Sequence, residues 1–133
     1  MIKIDKREFY RFSRFIIVGI SNTIITLSII FLLLKFSNLD YRISNIIGYS
    51  VGITNSFIWN KMWTFQSNNK VYREMFPFVL MALISYGFNL GVVIFTTEVL
   101  SLNQYFCQIL GMILYTVTNY IGNKYWVFSK VQL

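Results

Sequence analysis

The sequence has no histidine, one cysteine and one proline, and only five of its 133 residues are acidic. Without histidine, and with a single thiol at Cys107, the chain lacks the usual metal ligands and cannot form an internal disulfide, so we expect no metal and no cofactor. Charged residues make up 13% of the chain, against about 25% in soluble domains. This composition excludes an ordinary water-soluble domain.

Hydrophobic residues are abundant instead, at 56% of the chain. A helix that rises about 1.5 Å per residue needs about 17–25 apolar residues to cross the hydrocarbon of a bilayer. Four uncharged stretches have this length, namely residues 15–34, 43–60, 75–97 and 99–123. Because the loops between them are short, the sequence predicts one all-α, integral membrane four-helix bundle over residues 1–133.

The basic residues are sorted by loop. Only Lys35 and Arg42 lie in the loops that follow the first and third stretches, and the other ten lie on the opposite side: Lys3, Lys6, Arg7, Arg11, Arg14, Lys61, Lys70, Arg73, Lys124 and Lys130. The positive-inside rule therefore places both termini in the cytoplasm. The net charge is +7. Because the basic residues are distributed by loop and do not cluster on one soluble face, their pattern argues against a nucleic-acid partner.

The basic start, residues 3–14, interleaves cations with Phe9, Tyr10 and Phe12. This pattern predicts an amphipathic segment that lies along the inner membrane surface before the chain turns into the first span. The alternative is a plain topology signal. Pro77 is expected near the beginning of the third helix, where a missing N–H costs little.

The pattern Asn-Lys-x-Trp-x-Phe occurs twice, at residues 60–65 and 123–128. A shift of 63 residues, which superposes these copies, predicts two repeats over about residues 12–66 and 75–129. Each repeat holds two spans, so the repeats are parallel. We expect a central cleft between them, with a cytoplasmic mouth formed by Asn60, Lys61, Asn123 and Lys124.

The central parts of the spans carry no charged side chain, which argues against a proton relay and against an enzyme. They do carry amides, and the amides continue to the inner boundary: Asn22, Asn55, Asn89, Asn119, Asn60 and Asn123. Amides can hydrogen-bond across helices or line a groove for sugar hydroxyls. Both interpretations stay open for this set.

Cations and aromatic residues end the spans. Arg14, Lys61 and Lys124 suit either a topology signal or a phosphate site. The aromatic members of the repeated pattern are expected to anchor the helices at the membrane interface: Trp63, Phe65, Trp126 and Phe128. The glycines Gly48 and Gly52 form a small-residue stripe with Ser56, which suggests a surface for a homo-oligomer.

Three motifs carry a family resemblance: Arg-Phe-x-x-x-Gly at 14–19, Asn-Ser-Phe-x-x-Asn-Lys-x-Trp-x-Phe at 55–65 and Asn-Tyr-x-x-Asn-Lys-x-Trp-x-Phe at 119–128. Together they resemble the GtrA-like family, small bacterial membrane proteins of cell-surface polysaccharide glycosylation. The resemblance implies the cytoplasmic membrane as location and a polyprenyl-phosphate glycosyltransferase as partner. It also implies flipping of a polyprenyl-phosphate-linked sugar between leaflets, including the branch that glycosylates teichoic acids.

Two alternatives to flipping remain open: a membrane scaffold that orients the glycosyltransferase, and a carrier that recycles polyprenyl phosphate. One departure from symmetry bears on all three. The third helix has Pro77-Phe78 where the first has Arg14-Phe15. A phosphate site is therefore expected to be asymmetric, or to use Arg73 in place of a second Arg14.

Overall fold

The computed structural model describes residues 5–129, and within that range the chain is helical with no strand. This confirms the all-α prediction. The elements are α1 (Lys6–Phe36), α2 (Tyr41–Trp59), α3 (Val71–Ile94) and α4 (Gln104–Gly122). Three of these helices continue without a break into a five-residue π-helical segment: Asn60–Thr64 after α2, Phe95–Val99 after α3 and Asn123–Val127 after α4.

Side-chain caps define where three of the helices begin. Asp5, Asp40 and Asn103 each accept a hydrogen bond from the backbone N–H two residues later, at 3.1, 2.8 and 2.9 Å. An oxygen at this position satisfies an N–H that has no partner inside the helix. The caps of α2 and α4 therefore begin each second helix directly after a short loop, so that it can return along the first.

The chain divides into two units between Ser67 and Asn68. In the first unit α1 packs against α2, and in the second α3 packs against α4. Each unit is therefore a helical hairpin that ends in a π-helical segment. The predicted repeats, residues 12–66 and 75–129, fall one in each unit.

In the first unit the small residues of α2 face α1. A Cβ on Gly48 would collide with Ile30, and a Cβ on Gly52 would collide with Thr26 and come within 2.8 Å of the Asn22 side-chain oxygen. Close approach of α1 therefore requires glycine at both positions. The expectation that this stripe is a free surface for a homo-oligomer is wrong for Gly48 and Gly52, because α1 already covers them.

The second unit uses one glycine in the same way. A Cβ on Gly111 of α4 would come within 2.7 Å of Val93 and 3.0 Å of the Asn89 side-chain nitrogen, both on α3. Gly111 lies 63 residues after Gly48, so the same position in each unit admits the neighbouring helix. Nearer the other end, a Cβ on Gly122 would meet Met81.

Within residues 5–129, two helices are long and apolar enough to cross a membrane by themselves. The most apolar 18 residues have a mean hydropathy of 2.4 in α1 and of 2.2 in the continuous helix Val71–Val99. The α-helical parts of α2 and α4 have 19 residues each and carry the small and polar residues that pack inside the hairpins. At about 1.5 Å per residue, 19 residues extend about 28 Å, close to the thickness of the hydrocarbon.

Two local expectations are wrong. Helix α1 runs unbroken from Lys6 through Arg14 to Phe36, so the basic start does not turn before the first span. Pro77 does lie near the beginning of α3, but in its second turn, where the missing N–H would otherwise bond to the Arg73 carbonyl, so the expectation that the proline costs little there is wrong. Lys3 and Lys130, which belong to the predicted cytoplasmic set, lie outside the described residues.

Gly52→Ala is expected to lower the melting temperature of the detergent-solubilised protein, because the added methyl group enters the contact with Thr26 and Asn22. The matched control is Gly19→Ala in the same unit, where a Cβ meets nothing within 4 Å. We expect an unchanged or slightly higher melting temperature for the control, since alanine is the better helix former. Equal melting temperatures for the two variants would contradict the packing described.

Candidate functional site

The repeated Asn-Lys pattern forms the same structure in both units. Each copy is a π-helical segment closed by a hydrogen bond that spans five residues. Phe65 N–H donates to the Asn60 carbonyl at 2.8 Å, and Phe128 N–H donates to the Asn123 carbonyl at 2.9 Å. Such segments widen the helix locally and redirect the side chains that follow, and they are frequent at functional sites.

The asparagine that begins each segment is enclosed by its own unit. Asn60 is 2% exposed and Asn123 is 0% exposed. The Asn60 amide donates to Ser56 Oγ at 3.3 Å, and the Asn123 amide donates to the Asn119 carbonyl at 2.7 Å and to Asn119 Oδ1 at 2.9 Å. Both amide oxygens are buried without a hydrogen-bond partner. In this conformation Asn60 and Asn123 therefore shape the helix end, and both side chains are enclosed from outside the unit.

The phenylalanine that follows each segment packs in the core. Phe65 is 3% exposed and Phe128 is 1% exposed. Their rings lie against those of Phe15 and Phe78, with centroids 6.3 Å apart in both units. Since buried rings cannot contact the membrane interface, the interpretation of Phe65 and Phe128 as interface anchors is corrected: they hold each segment against the first helix of its hairpin.

The lysines of the pattern are half-buried. Lys61 Nζ lies 3.4 Å from Ser67 Oγ, and the Lys61 carbonyl accepts from Ser67 N–H at 2.7 Å. Gln66 between them has a φ of 51°, which turns the chain sharply after the helix. In the second unit Lys124 Nζ lies 4.7 Å from the centroid of the Tyr125 ring. Each unit therefore holds one ammonium group beside its π-helical segment.

Arg14 reaches the same helix end in the first unit. Its Nη1 donates to the Trp63 carbonyl at 3.1 Å, and its guanidinium carbon lies 5.4 Å from the centroid of the Trp63 ring. A cation at a helix C-terminus satisfies a free carbonyl and interacts favourably with the helix dipole. One hydrogen bond leaves other guanidinium N–H groups able to bind a ligand.

In the second unit, a different residue donates a hydrogen bond to the corresponding tryptophan carbonyl. Pro77 stands where the first unit has Arg14, and the Trp126 carbonyl accepts instead from Ser129 Oγ at 3.2 Å. The two helix ends are therefore alike in backbone but differ in charge, in line with the asymmetry expected from Pro77.

The asparagines within the helices lie at different kinds of position. Asn22 and Asn89 border the close helix contacts at Gly52 and Gly111. Asn55 lines a shallow groove on α2 and has a buried amide nitrogen without a partner. Among the predicted site residues, Asn119 and Asn123 are therefore hydrogen-bonded to each other, and Arg14 is hydrogen-bonded to Trp63. A binding role for the asparagines and a shared pocket for Lys61 and Lys124 stay predictions.

Two tryptophans of the predicted anchor set have exposed ring surface. Trp63 is half-buried and meets Trp59 edge to face, with centroids 6.4 Å apart. Trp126 is 48% exposed. Anchoring at the membrane interface stays a prediction for Trp63 and Trp126.

Sequence reasoning missed Glu74, which is 2% exposed. It accepts a hydrogen bond from the Asn69 amide at 3.0 Å. Both residues line a cavity of about 310 Å³ between the start of α3 and the end of the second unit, together with Arg73, Pro77 and Trp126. A lone acid directly before a long uncharged run is a signal in the sequence that could have pointed to Glu74.

The fold and these helix ends define an α-helical membrane protein that crosses the membrane several times and is built from two hairpins. A family model described as "GtrA/DPMS, transmembrane domain" matches residues 14–128. The chain belongs to the GtrA/DPMS transmembrane-domain family, and the resemblance inferred from the motifs is confirmed.

Curated bacterial relatives match most of the chain. The membrane protein YwcD of Bacillus subtilis is 25% identical over 89% of this chain and 96% of its own length. The membrane protein YngA of the same organism is 28% identical over 93% of this chain and 83% of its own length. The cell wall teichoic acid glycosylation protein GtcA of Listeria monocytogenes is 28% identical over 94% of this chain and 88% of its own length.

Asn123→Ala is expected to destabilise the protein by about 1–2 kcal/mol, because it removes two buried hydrogen bonds and takes the Asn123 amide away from Asn119 Oδ1, whereas the Asn119 carbonyl keeps the backbone N–H of residue 123. The control is Asn45→Ala, which removes a single bond to the Tyr41 carbonyl at a more exposed position. Thermal unfolding in detergent measures both variants. A smaller loss for Asn123→Ala than for Asn45→Ala would contradict a structural role for the buried amide.

Proposed function

We propose that the protein moves a polyprenyl-phosphate-linked sugar from the inner to the outer leaflet, where it serves glycosylation of a cell-surface polymer such as teichoic acid. Membership of the GtrA/DPMS family supports this proposal, as does the name of the relative GtcA, a cell wall teichoic acid glycosylation protein. In this proposal the protein is a carrier and performs no covalent chemistry, and a membrane glycosyltransferase supplies its cargo.

One observation carries the proposal: the same helix end is built twice, and each copy holds a half-buried lysine. A topology signal requires only that positive charge lies somewhere in the loop, at no fixed position. Here Lys61 and Lys124 follow a buried asparagine and precede a buried phenylalanine at the same spacing in both units. An ammonium group held in this way is a good ligand for a phosphate.

The cargo needs a polar path because each hydroxyl that enters hydrocarbon without a partner costs several kcal/mol. Neutral amides supply donors and acceptors without a fixed charge. Asn22, Asn55 and Asn89 lie within the helices, and in this proposal they supply the hydrogen-bonding groups of the path. The sequence has no ATP-binding motif, so consumption of the sugar on the outer side would drive net transport.

Lys61→Ala and Lys124→Ala are each expected to lower transport of a fluorescent polyprenyl phosphosugar at least tenfold in vesicles that contain only this protein, because each removes a phosphate ligand. Lys35→Ala is the matched control, since it removes the same charge from the loop predicted to lie outside. Membrane level and melting temperature are measured in parallel to separate binding from folding.

Restored transport in Lys61→Arg and Lys124→Arg is expected, because arginine keeps the charge and the hydrogen-bond donors. Transport at the wild-type rate in both alanine variants would refute the phosphate role. Absence of transport by the wild-type protein alone, with activity only when the glycosyltransferase is added, would favour the second candidate.

The second candidate is a scaffold that docks the glycosyltransferase, and the length of α1 favours it. At about 1.5 Å per residue, its 31 residues extend about 46 Å, against about 30 Å of hydrocarbon. Its first turns therefore project from the membrane. Phe9 and Tyr10 on these turns are 60% and 64% exposed and stand among cations.

The double variant Phe9→Ser, Tyr10→Ser is expected to weaken co-purification of the glycosyltransferase if these rings form the docking surface. The matched control is Phe36→Ser at the other end of α1, whose ring is 75% exposed. Unchanged co-purification in the Phe9, Tyr10 variant would reject this surface, whatever the result of the transport assay.

A further inference from the structure

We propose that the cavity between α3 and the end of the second unit binds the phosphosugar headgroup of the cargo. This inference rests on the proposed function, in which Lys61 and Lys124 also bind the phosphate, and it assigns the sugar to one hairpin. The cavity is lined by Asn69, Arg73, Glu74, Pro77, Trp126 and Ser129, together with one valine. All of these residues belong to the second unit.

The size of the cavity suits one sugar with its phosphate. Its volume is about 310 Å³, at the lower limit of the range of about 300–1,000 Å³ that is usual for small-molecule sites. A prenyl chain does not fit beside a sugar in this space, so the chain must leave through the mouth of the cavity. This arrangement places the headgroup in the protein and the tail in lipid.

The buried acid is the first element of recognition. Glu74 is 2% exposed, and burial of a carboxylate is costly unless hydrogen bonds compensate. The Asn69 amide donates to it at 3.0 Å, which holds the two side chains in a fixed relation. A carboxylate accepts and an amide can both donate and accept, so this pair matches neighbouring hydroxyls of a pyranose.

Arg73 and Trp126 supply the other two elements. The Arg73 side chain is exposed at the cavity, and a guanidinium group binds phosphate through two parallel hydrogen bonds. Trp126 is 48% exposed and offers a flat apolar surface on which the apolar face of a sugar ring can stack. Anion ligand, hydroxyl ligands and aromatic platform thus surround one space.

Comparison with the first unit explains why the cavity belongs to the second. There, the Arg14 side chain crosses from α1 to the Trp63 carbonyl and donates a hydrogen bond to it. Pro77 replaces Arg14 in the second unit, and its short ring cannot make this contact. The substitution of a long cation by proline leaves room in front of Trp126.

The test uses a Trp59→Phe, Trp63→Phe variant, in which Trp126 is the remaining tryptophan and reports on the cavity by its fluorescence. The purified protein is titrated with citronellyl phosphosugars that carry glucose, galactose or N-acetylglucosamine. At least one of them is expected to change the Trp126 emission with saturation. Bare citronellyl phosphate and the free sugar phosphates are titrated as separate arms, and both are expected to bind more weakly.

Arg73→Gln and Glu74→Gln are each expected to weaken binding of the responding phosphosugar at least tenfold, since each removes a charged hydrogen-bond partner. Lys70→Gln is the matched control, because it removes a neighbouring exposed cation that does not line the cavity. We expect less than a twofold change there. Arg73 is exposed, so its variant tests the site even if Glu74→Gln fails to fold.

Several outcomes would overturn the inference: no response to any phosphosugar, equal binding of bare citronellyl phosphate, equal binding of the free sugar phosphates, or wild-type affinity in Arg73→Gln. The transport assay separates the two proposals. Transport without cavity-dependent binding would remove this site and leave the function, whereas cavity-dependent binding without transport would keep the site and remove the flippase.

Discussion

Enclosure of a polar side chain at the end of a helix is the constraint on which the rest of the structure depends. A helix leaves its last carbonyl groups without internal partners, and at a membrane boundary water satisfies them only in part. In this chain, a buried asparagine and a π-helical segment stand at the end of α2 and of α4. Asn60 and Asn123 accept the closing bond through their backbone while their amides bond back into the helix.

Because of this constraint, the residues of each repeated pattern have different roles. The asparagine and the phenylalanine are enclosed and hold the helix end against the first helix of the hairpin. Outside this core, the lysine presents polar surface and the tryptophan presents apolar surface. Because the asparagine and the phenylalanine hold the helix end in place, the lysine and the tryptophan can contact a ligand. This difference in roles supports the flippase proposal.

The two hairpins share a backbone but differ in the side chains around it. Arg14 bridges the hairpin in the first unit, whereas Pro77 leaves a cavity bordered by Glu74 in the second. In the two proposals, the lysine of each unit binds phosphate, and the cavity adds contacts to the sugar in the second unit alone. The difference between Arg14 and Pro77 therefore distinguishes the unit with the proposed sugar site from the other unit.

The sequence by itself determined the all-α class, the duplicated motif and the family, because hydrophobic stretches and motif spacing are local properties of the chain. The tertiary structure alone decided that Gly48 and Gly52 face α1, that Phe65 and Phe128 are buried, and that Glu74 borders a cavity. Those outcomes depend on contacts between residues far apart in sequence, such as the bond from Arg14 to Trp63 across 49 positions. Composition and periodicity carry no information about which distant side chain fills a given space.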